Sequence, residues 1–225
     1  MIDWQPLWLS LRLAGTTTFI LFLIAIPLGY WLAYSRQRWK IAVGAIVSLP
    51  MVLPPTVLGF YLLLALSPSN AFGHFLDRYF NLRLVFTFPG LVIASLLYSL
   101  PFMVNPVVAG FSSLPPNLRA ASRTLGKSDT TTLLRILLPN IRPSLITGAV
   151  LSFAHTIGEF GVVMMIGGSI PGQTRVASVA IFDEVQSIHY PQANRYAVIL
   201  LVFSFSILLL VYFVNNYFTR PKTLL

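Results

Sequence analysis

Five apolar runs, each long enough to cross a bilayer, occupy most of this chain and leave it few choices of fold. They cover about 7–34, 41–66, 88–111, 144–165 and 196–218. A hydrocarbon core of ~30 Å needs about 20 helical residues at ~1.5 Å each, and every run exceeds that length. None alternates apolar and polar residues as a membrane barrel strand does, so helices are the form that closes each backbone hydrogen bond within its own segment. Of 225 residues, 56% are hydrophobic and 9% charged. That is more apolar surface than one water-soluble core could hide. The expected fold is an all-α polytopic bundle of five transmembrane helices. The first run is too long for a signal-peptide core and has neither a basic segment before it nor a small-residue cleavage site after it, so it is expected to stay in the mature protein. Cysteine is absent, which removes disulfides, thiolate metal sites and cysteine nucleophiles from consideration.

The basic residues orient the bundle. Arg36, Arg38 and Lys40 follow the first run; Arg119, Arg123, Lys127, Arg135 and Arg142 lie between the third and fourth; Arg220 and Lys222 close the chain. With five alternating helices these ten share one side, against five elsewhere (Arg12, Arg78, Arg83, Arg175 and Arg195). The positive-inside bias then puts the N-terminus outside and the C-terminus in the cytoplasm. The net charge of +9 is thereby mainly a topology signal, and without a readout fold it gives no argument for nucleic acid as a partner. No soluble domain, repeat or low-complexity linker interrupts the chain, which reads as one domain over 1–225. The two external connections, 67–87 and 166–195, carry aromatic and charged residues (Phe72, Phe75, Asp77, Tyr79; Arg175, Asp183, Glu184). They read as short interfacial helices or as contacts for an external partner.

The polar insert at about 112–143 is the part of the chain built for water. Pro115 and Pro116 stop the third span and can open a new helix, while Gly126 offers a stop. Ser128 or Asp129 can cap a second helix through Leu138, with Pro139 and Pro143 separating it from the fourth span. A helix over 117–125 carries Arg119 and Arg123 on one face and Ala121 and Leu125 on another. Small side chains allow a partner to approach closely, and the arginines can pair with acidic groups on its rim. An ordinary amphipathic interface helix is the other reading. The spacing Ala120-Ala121-Ser122, three residues, Gly126, nine residues, Ile136-any-Leu138-Pro139 resembles the cytoplasmic loop of bacterial ABC importer permeases. In that family Glu-Ala-Ala opens the pattern and the helix docks into the ATPase subunit. Here Ala120 stands in place of the Glu and Ser122 in place of the second Ala, so any salt bridge made by the acid is lost while the helix is kept. The resemblance implies an ATPase-coupling segment comprising Arg119, Ala120, Ala121, Ser122, Arg123, Gly126, Ile136, Leu138 and Pro139. No Walker glycine loop occurs in this chain. It is therefore expected not to be an enzyme by itself and to bind no cofactor or metal, with ATP used by a partner subunit.

Two further stretches carry chemistry. Pro50, Pro54 and Pro55 inside the second run each remove a backbone hydrogen bond, and the freed carbonyls need partners in protein or along a wet path. The alternative is a kink that only improves packing. Glu159 is the sole carboxylate within the five runs. About 15 residues into the fourth helix it is expected ~22 Å along, near the external end, on one face with His155 and paired with it, because membrane-depth ionisable groups are costly when alone. His155, Thr156, Gly158, Glu159 and Gly161, with the three prolines, are pathway or gate candidates. Thr17, Thr18, Thr56, Ser99 and Ser152 are hydroxyl candidates for anion contact, and Arg12 reads as a snorkelling anchor.

The segment LPMVLPPTVLGFYLL and the segment from Ala154 to Arg175, with GEFG followed by IPGQTR, resemble molybdate permeases, with sulfate and tungstate permeases as near relatives. The resemblance implies a multi-pass inner-membrane permease subunit of an ATP-driven importer of a tetrahedral oxyanion, molybdate first, with tungstate or sulfate as alternatives. It also implies an external oxyanion-binding protein and cytoplasmic ABC ATPases as partners. Five helices make a narrow conduit and the docking segment occurs once per chain, so two copies facing two ATPases form the simplest closed assembly. Readings from other classes are a proton-coupled secondary transporter using His155 and Glu159, and a non-transporting scaffold whose insert recruits a soluble partner.

Overall fold

Proline and backbone chemistry divide the chain into more helices than its hydropathy suggests. The computed structural model describes residues 3–219; Arg220 and Lys222 of the basic tail lie outside the described residues. In chain order the helices are α1 (Gln5–Tyr34), α2 (Lys40–Ser48), α3 (Pro55–Leu66), α4 (Ala71–Phe80), α5 (Phe88–Ser113) and α6 (Pro116–Thr124). There follow α7 (Asp129–Thr132), α8 (Leu138–Asn140), α9 (Arg142–Gly158), α10 (Gly161–Gly167), α11 (Ala177–Gln186) and α12 (Tyr190–Thr219). α5 starts where the Thr87 hydroxyl accepts from the Gly90 amide at 3.3 Å. It runs through the middle of the bundle, packed against α1, α9 and α10.

Three of the expected spans are single helices, and two are broken. Over 41–66, α2 passes into a 3₁₀ turn at Leu49–Met51 and then bends by 109° into α3. Pro54 and Pro55 dictate the break. A residue before proline is pushed out of the helical region, and Pro54 itself is extended (φ −56°, ψ 135°). Pro55 then occupies the first position of α3, where the missing N–H costs nothing. Over 144–165, α9 stops at Gly158 and Glu159 is extended (φ −69°, ψ 133°) before α10 begins. No proline causes this second break. The Glu159 carbonyl instead accepts from the Ser178 hydroxyl on α11, so its hydrogen bond is closed without a helix. The connections over 67–87 and 166–195 contain α4 and α11.

Burial sorts the bundle into three levels. One apolar cluster joins Leu9 and Leu13 of α1, Leu91 and Ala94 of α5, and Val162 and Ile166 of α10. A second joins Leu21 and Ala25 of α1, Met103 and Phe111 of α5, and Leu145 of α9, with Leu137 and Ile141 of the insert. Between them on the same helices lie buried Thr17, Ser95, Ser99, Ser152, Thr156 and Glu159, a polar layer across the middle. Glu159 therefore sits at mid-bundle, with α10 beyond it; the expected place near one end assumed an unbroken helix.

The two half-helices beyond the breaks pack closely on glycine. A side-chain Cβ at Gly59 on α3 would stand 2.8 Å from Met165 Cβ and 3.0 Å from Val162 Cα, and one at Gly161 would stand 2.8 Å from Pro55 Cβ. Gly15 and Gly44 face open space. Gly59→Leu is expected to destabilise the detergent-solubilised protein by about 1 to 3 kcal/mol or more through overpacking, read as an earlier thermal unfolding transition. Gly44→Ala is expected to leave that transition unchanged or raise it slightly, because Ala is the better helix former. Equal transitions for the two variants would contradict the α3–α10 contact.

Candidate coupling surface and translocation cleft

The insert folds into two parts with different tasks. α6 ends at Gly126, whose φ of +68° lies in the left-handed region that favours glycine. The Lys127 amide bonds back to the Ser122 carbonyl at 3.1 Å. Ser128 then caps α7, its hydroxyl accepting from the Thr131 amide at 3.1 Å. One of the two residues that depart from the family pattern has a visible use: Ser122 is buried and its hydroxyl lies 2.7 Å from Thr132 Oγ1. Thr132 already donates to the Ser128 carbonyl at 2.9 Å, so Ser122 is the donor and ties α6 to α7. Leu133–Leu137 form a wide π turn. Ile136 and Leu138 pack against the apolar cluster around Leu137 and Ile141, and Pro139 sits in α8, just before a 75° bend into α9.

The two arginines of α6 make contacts within the chain. The Arg119 guanidinium lies 5.3 Å from the Tyr30 ring and 5.0 Å from the Tyr34 ring, both on α1, in a cation–π arrangement. Arg123 reaches Asp129 at 3.1 Å. Arg123 stays more than half exposed beside Asp129, in a surface ion pair weak enough to exchange partners. α6 presents Ala120 and Ala121 outward together with Asn117, Arg123 and Thr124, and Leu125 just past its end is 75% exposed. The tyrosine contact escaped sequence reasoning, although Tyr30 and Tyr34 one turn apart at the end of α1 were a usable signal. Tyr34 also donates to the Phe111 carbonyl of α5 at 3.0 Å.

Five of the eight pathway candidates, Pro55, His155, Gly158, Glu159 and Gly161, line one cleft of about 510 Å³ together with Thr56, Tyr98, Ala154 and Phe160. It opens where the two helix breaks meet, so the first turn of α3 and the first turn of α10 border it. Pro50 is buried in the 3₁₀ turn and Pro54 is exposed, and neither lines the cleft. Thr156 is buried one layer behind. Arg12 lies 4.5 Å over the Phe88 ring, remote from the cleft.

His155 and Glu159 line this cleft without pairing, which overturns the expected contact. The break after Gly158 removes the helical i, i+4 geometry that would join them. His155 stacks on Phe102 with ring centroids 3.9 Å apart and an interplanar angle of 24°, and its Nδ1 lies 3.0 Å from Ser99 Oγ. Ser99 in turn is 2.9 Å from Thr156 Oγ1. Glu159 is buried and neither carboxylate oxygen has a hydrogen-bond partner among the described residues. The hydroxyls of Thr17, Thr18, Ser95 and Ser152 are likewise buried without partners. Such groups cost roughly 1 to 3 kcal/mol each when left unsatisfied, so this layer is suited to wet or ligand-bearing states. Among the described residues no group of three or more His, Asp or Glu side chains could hold a metal ion.

Comparison with known proteins agrees with this architecture. Residues 25–223 match the model of a family described as binding-protein-dependent transport system inner membrane component. The chain is 46% identical over 93% of its own length and 93% of the relative's to the molybdenum transport system permease protein ModB of Azotobacter vinelandii. It is 35% identical to the sulfate transport system permease protein CysT of Salmonella typhimurium, covering 85% of this chain and 69% of that one. The crystal structure of a bacterial alginate ABC transporter, in complex with an alginate pentasaccharide-bound periplasmic protein, shares the fold. It superposes with a TM-score of 0.79 at 20% identity, over 96% of this chain and 79% of that chain. With its apolar helices, its polar middle layer and a family match over most of its length, the chain belongs to the inner membrane components of binding-protein-dependent transport systems.

Proposed function

We propose that this chain is the permease subunit of an ATP-driven importer of molybdate. The observation that carries the substrate is the 46% identity to a molybdenum permease over 93% of both chains; the sulfate permease relative is less similar and longer. ATP hydrolysis belongs to a separate subunit, and the chain acts by passing the anion through the bundle. The basic loops orient α6 toward the cytoplasm, so the N-terminus faces outside. Two copies form the pathway and two ATPases grip the two insert segments. An external binding protein delivers the anion to the far end, where α4 and α11 lie.

In this assembly the docking face is Ala120, Ala121 and Leu125, all exposed, while Ile136 and Leu138 anchor the insert to the bundle core. Pro50, Pro54, Pro55 and the Gly158 to Gly161 stretch are the gate elements, since a small rotation about either break alters the cleft between them.

Ala121→Trp, at an exposed position with no packing to disturb, is expected to abolish copurification of the ATPase and to reduce uptake to background, with normal amounts of permease in the membrane. Gly126→Pro is expected to do the same, because proline cannot adopt a φ of +68°. Copurification and uptake measured on the same preparation test this, and normal values for both variants would move the coupling surface elsewhere.

The energy source separates this reading from the proton-coupled one. Uptake of radiolabelled molybdate into vesicles holding the permease, its ATPase and the binding protein is expected to need ATP on the ATPase side. It should stop with vanadate and persist with a protonophore at constant ATP. Uptake driven by a pH gradient without ATP would overturn the reading.

A further inference from the structure

Hydrogen-bond accounting fixes more about His155 than its position. Thr156 Oγ1 lies 2.8 Å from the Ser152 carbonyl, and a carbonyl only accepts, so the single Thr156 hydroxyl proton is committed there. Ser99 Oγ, 2.9 Å from Thr156 Oγ1, must then donate in that contact. With its own proton committed, Ser99 can only accept from His155 Nδ1, 3.0 Å away. The chain runs one way, from His155 Nδ1–H through the hydroxyls of Ser99 and Thr156 to the Ser152 carbonyl. Nδ1 is a donor whether the ring is neutral or charged, so the variable atom is Nε2. The neutral ring presents a lone pair there, and only the imidazolium presents an N–H.

The cleft that His155 lines is short of donors. Among the described residues no Lys or Arg lines it, and neither oxygen of the buried Glu159 is in hydrogen-bond geometry, the Ser95 hydroxyl beside it included. It offers the hydroxyls of Tyr98 and Thr56, and the Thr56 amide in the first turn of α3, where Pro55 has no N–H to contribute. The titratable groups sharing the cleft with His155 are Tyr98 from α5 and Glu159 from the break; α3 brings only Pro55 and Thr56, α10 only Gly161, and neither α1 nor α12 lines it. A fully ionised tetrahedral oxyanion carries acceptors alone, so a further donor, and one with charge, would strengthen the hold of these few neutral donors on it.

Resting on the reading that the cargo is such an anion, we propose that His155 is the anion-contacting residue of this cleft, binding through Nε2–H as an imidazolium. One proton joins Nε2 as the anion enters and leaves it as the anion departs, with no covalent bond formed to the anion. Ser99 and Thr156 are positioning residues that keep Nδ1 a donor, so that the neutral ring cannot offer Nε2–H by changing tautomer.

The test is calorimetric titration of the intact permease–ATPase complex in nanodiscs with molybdate, in buffers of different ionisation heat, over about pH 6 to 8. One proton taken up per anion is expected, with apparent affinity falling up to about tenfold per pH unit at the alkaline side. His155→Arg, a fixed cation, is expected to bind with no proton uptake and no pH slope. Ser99→Ala frees Nδ1 from its acceptor, and proton uptake is expected to drop below one per anion. Glu159→Gln is expected to keep one proton per anion. ATP-driven molybdate uptake by the unaltered complex is measured alongside, and its absence would overturn the cargo reading itself. With uptake present, any of three results overturns the role of His155 alone: no detectable binding, binding without proton uptake, or proton uptake that survives His155→Arg, whether or not Glu159→Gln abolishes it.

Discussion

A backbone surrounded by hydrocarbon must satisfy its own hydrogen bonds, and the interior of this protein is organised around the two places where helices fail to do so. At Pro54 and Pro55 the chain turns by 109° and restarts with an amide, that of Thr56, that no preceding turn can use. At Glu159 the chain is extended and its carbonyl is taken by the Ser178 hydroxyl of α11. Each break alone would expose polar backbone to lipid. Placed against each other through Gly161 and Pro55, they shelter one another and border a cleft. Non-helical backbone at this depth is tolerated where it lines a cavity, and the cleft is the compensation for both breaks.

The insert shows a similar division between what is held and what is offered. Ile136 and Leu138 pack into the bundle, Ser122 locks α6 to α7, and Arg119 rests on Tyr30 and Tyr34. The exposed remainder of α6 sets Ala120 and Ala121 beside the polar Asn117, Arg123 and Thr124. Arg119 thus joins α6 to the end of α1, and the Tyr34 hydroxyl joins that end to the Phe111 carbonyl of α5. α5 is also the helix on which Ser99 and Tyr98 stand. Cation–π contacts of about 0.5 to 2 kcal/mol are weak enough to rearrange, which suits a joint better than a weld.

Much of this was legible in the sequence because it rests on local chemistry. Apolar run length gave the helices, Pro115, Pro116 and Gly126 bounded α6, and Ser128 marked the next cap. The prolines at 50 to 55 announced a break, though not its angle. The second break was hidden: GEFG contains no proline, and a run of apolar residues on both sides reads as one continuous helix. What stops α9 is a partner from far along the chain, Ser178, and tertiary hydrogen bonds leave no periodic trace. The same blindness produced the expected pair of His155 with Glu159, which assumed helical spacing across a bond that is extended. The polar layer was half visible, since Thr17, Ser99 and Ser152 could be named as hydroxyls in apolar runs, while their common level required knowing how α1, α5 and α9 are staggered.

The distribution of fixed positive charge supplies a last argument about transport. Arg12 is held over Phe88, Arg83 by Asp77, Arg119 by tyrosines, Arg123 by Asp129, and Arg175 by Asp183 and Glu184. None lines the central cleft. One guanidinium 4 Å from a unit negative charge is worth ~4 kcal/mol at an effective dielectric constant of ~20, and a dianion would double that. Since 1.4 kcal/mol is about a factor of ten, a single such residue in the middle of the bundle would slow release of a dianion by several orders of magnitude. A carrier that must let go on each cycle is better served by hydroxyls, free amides at a helix start, and a ring that is cationic only while the anion is beside it.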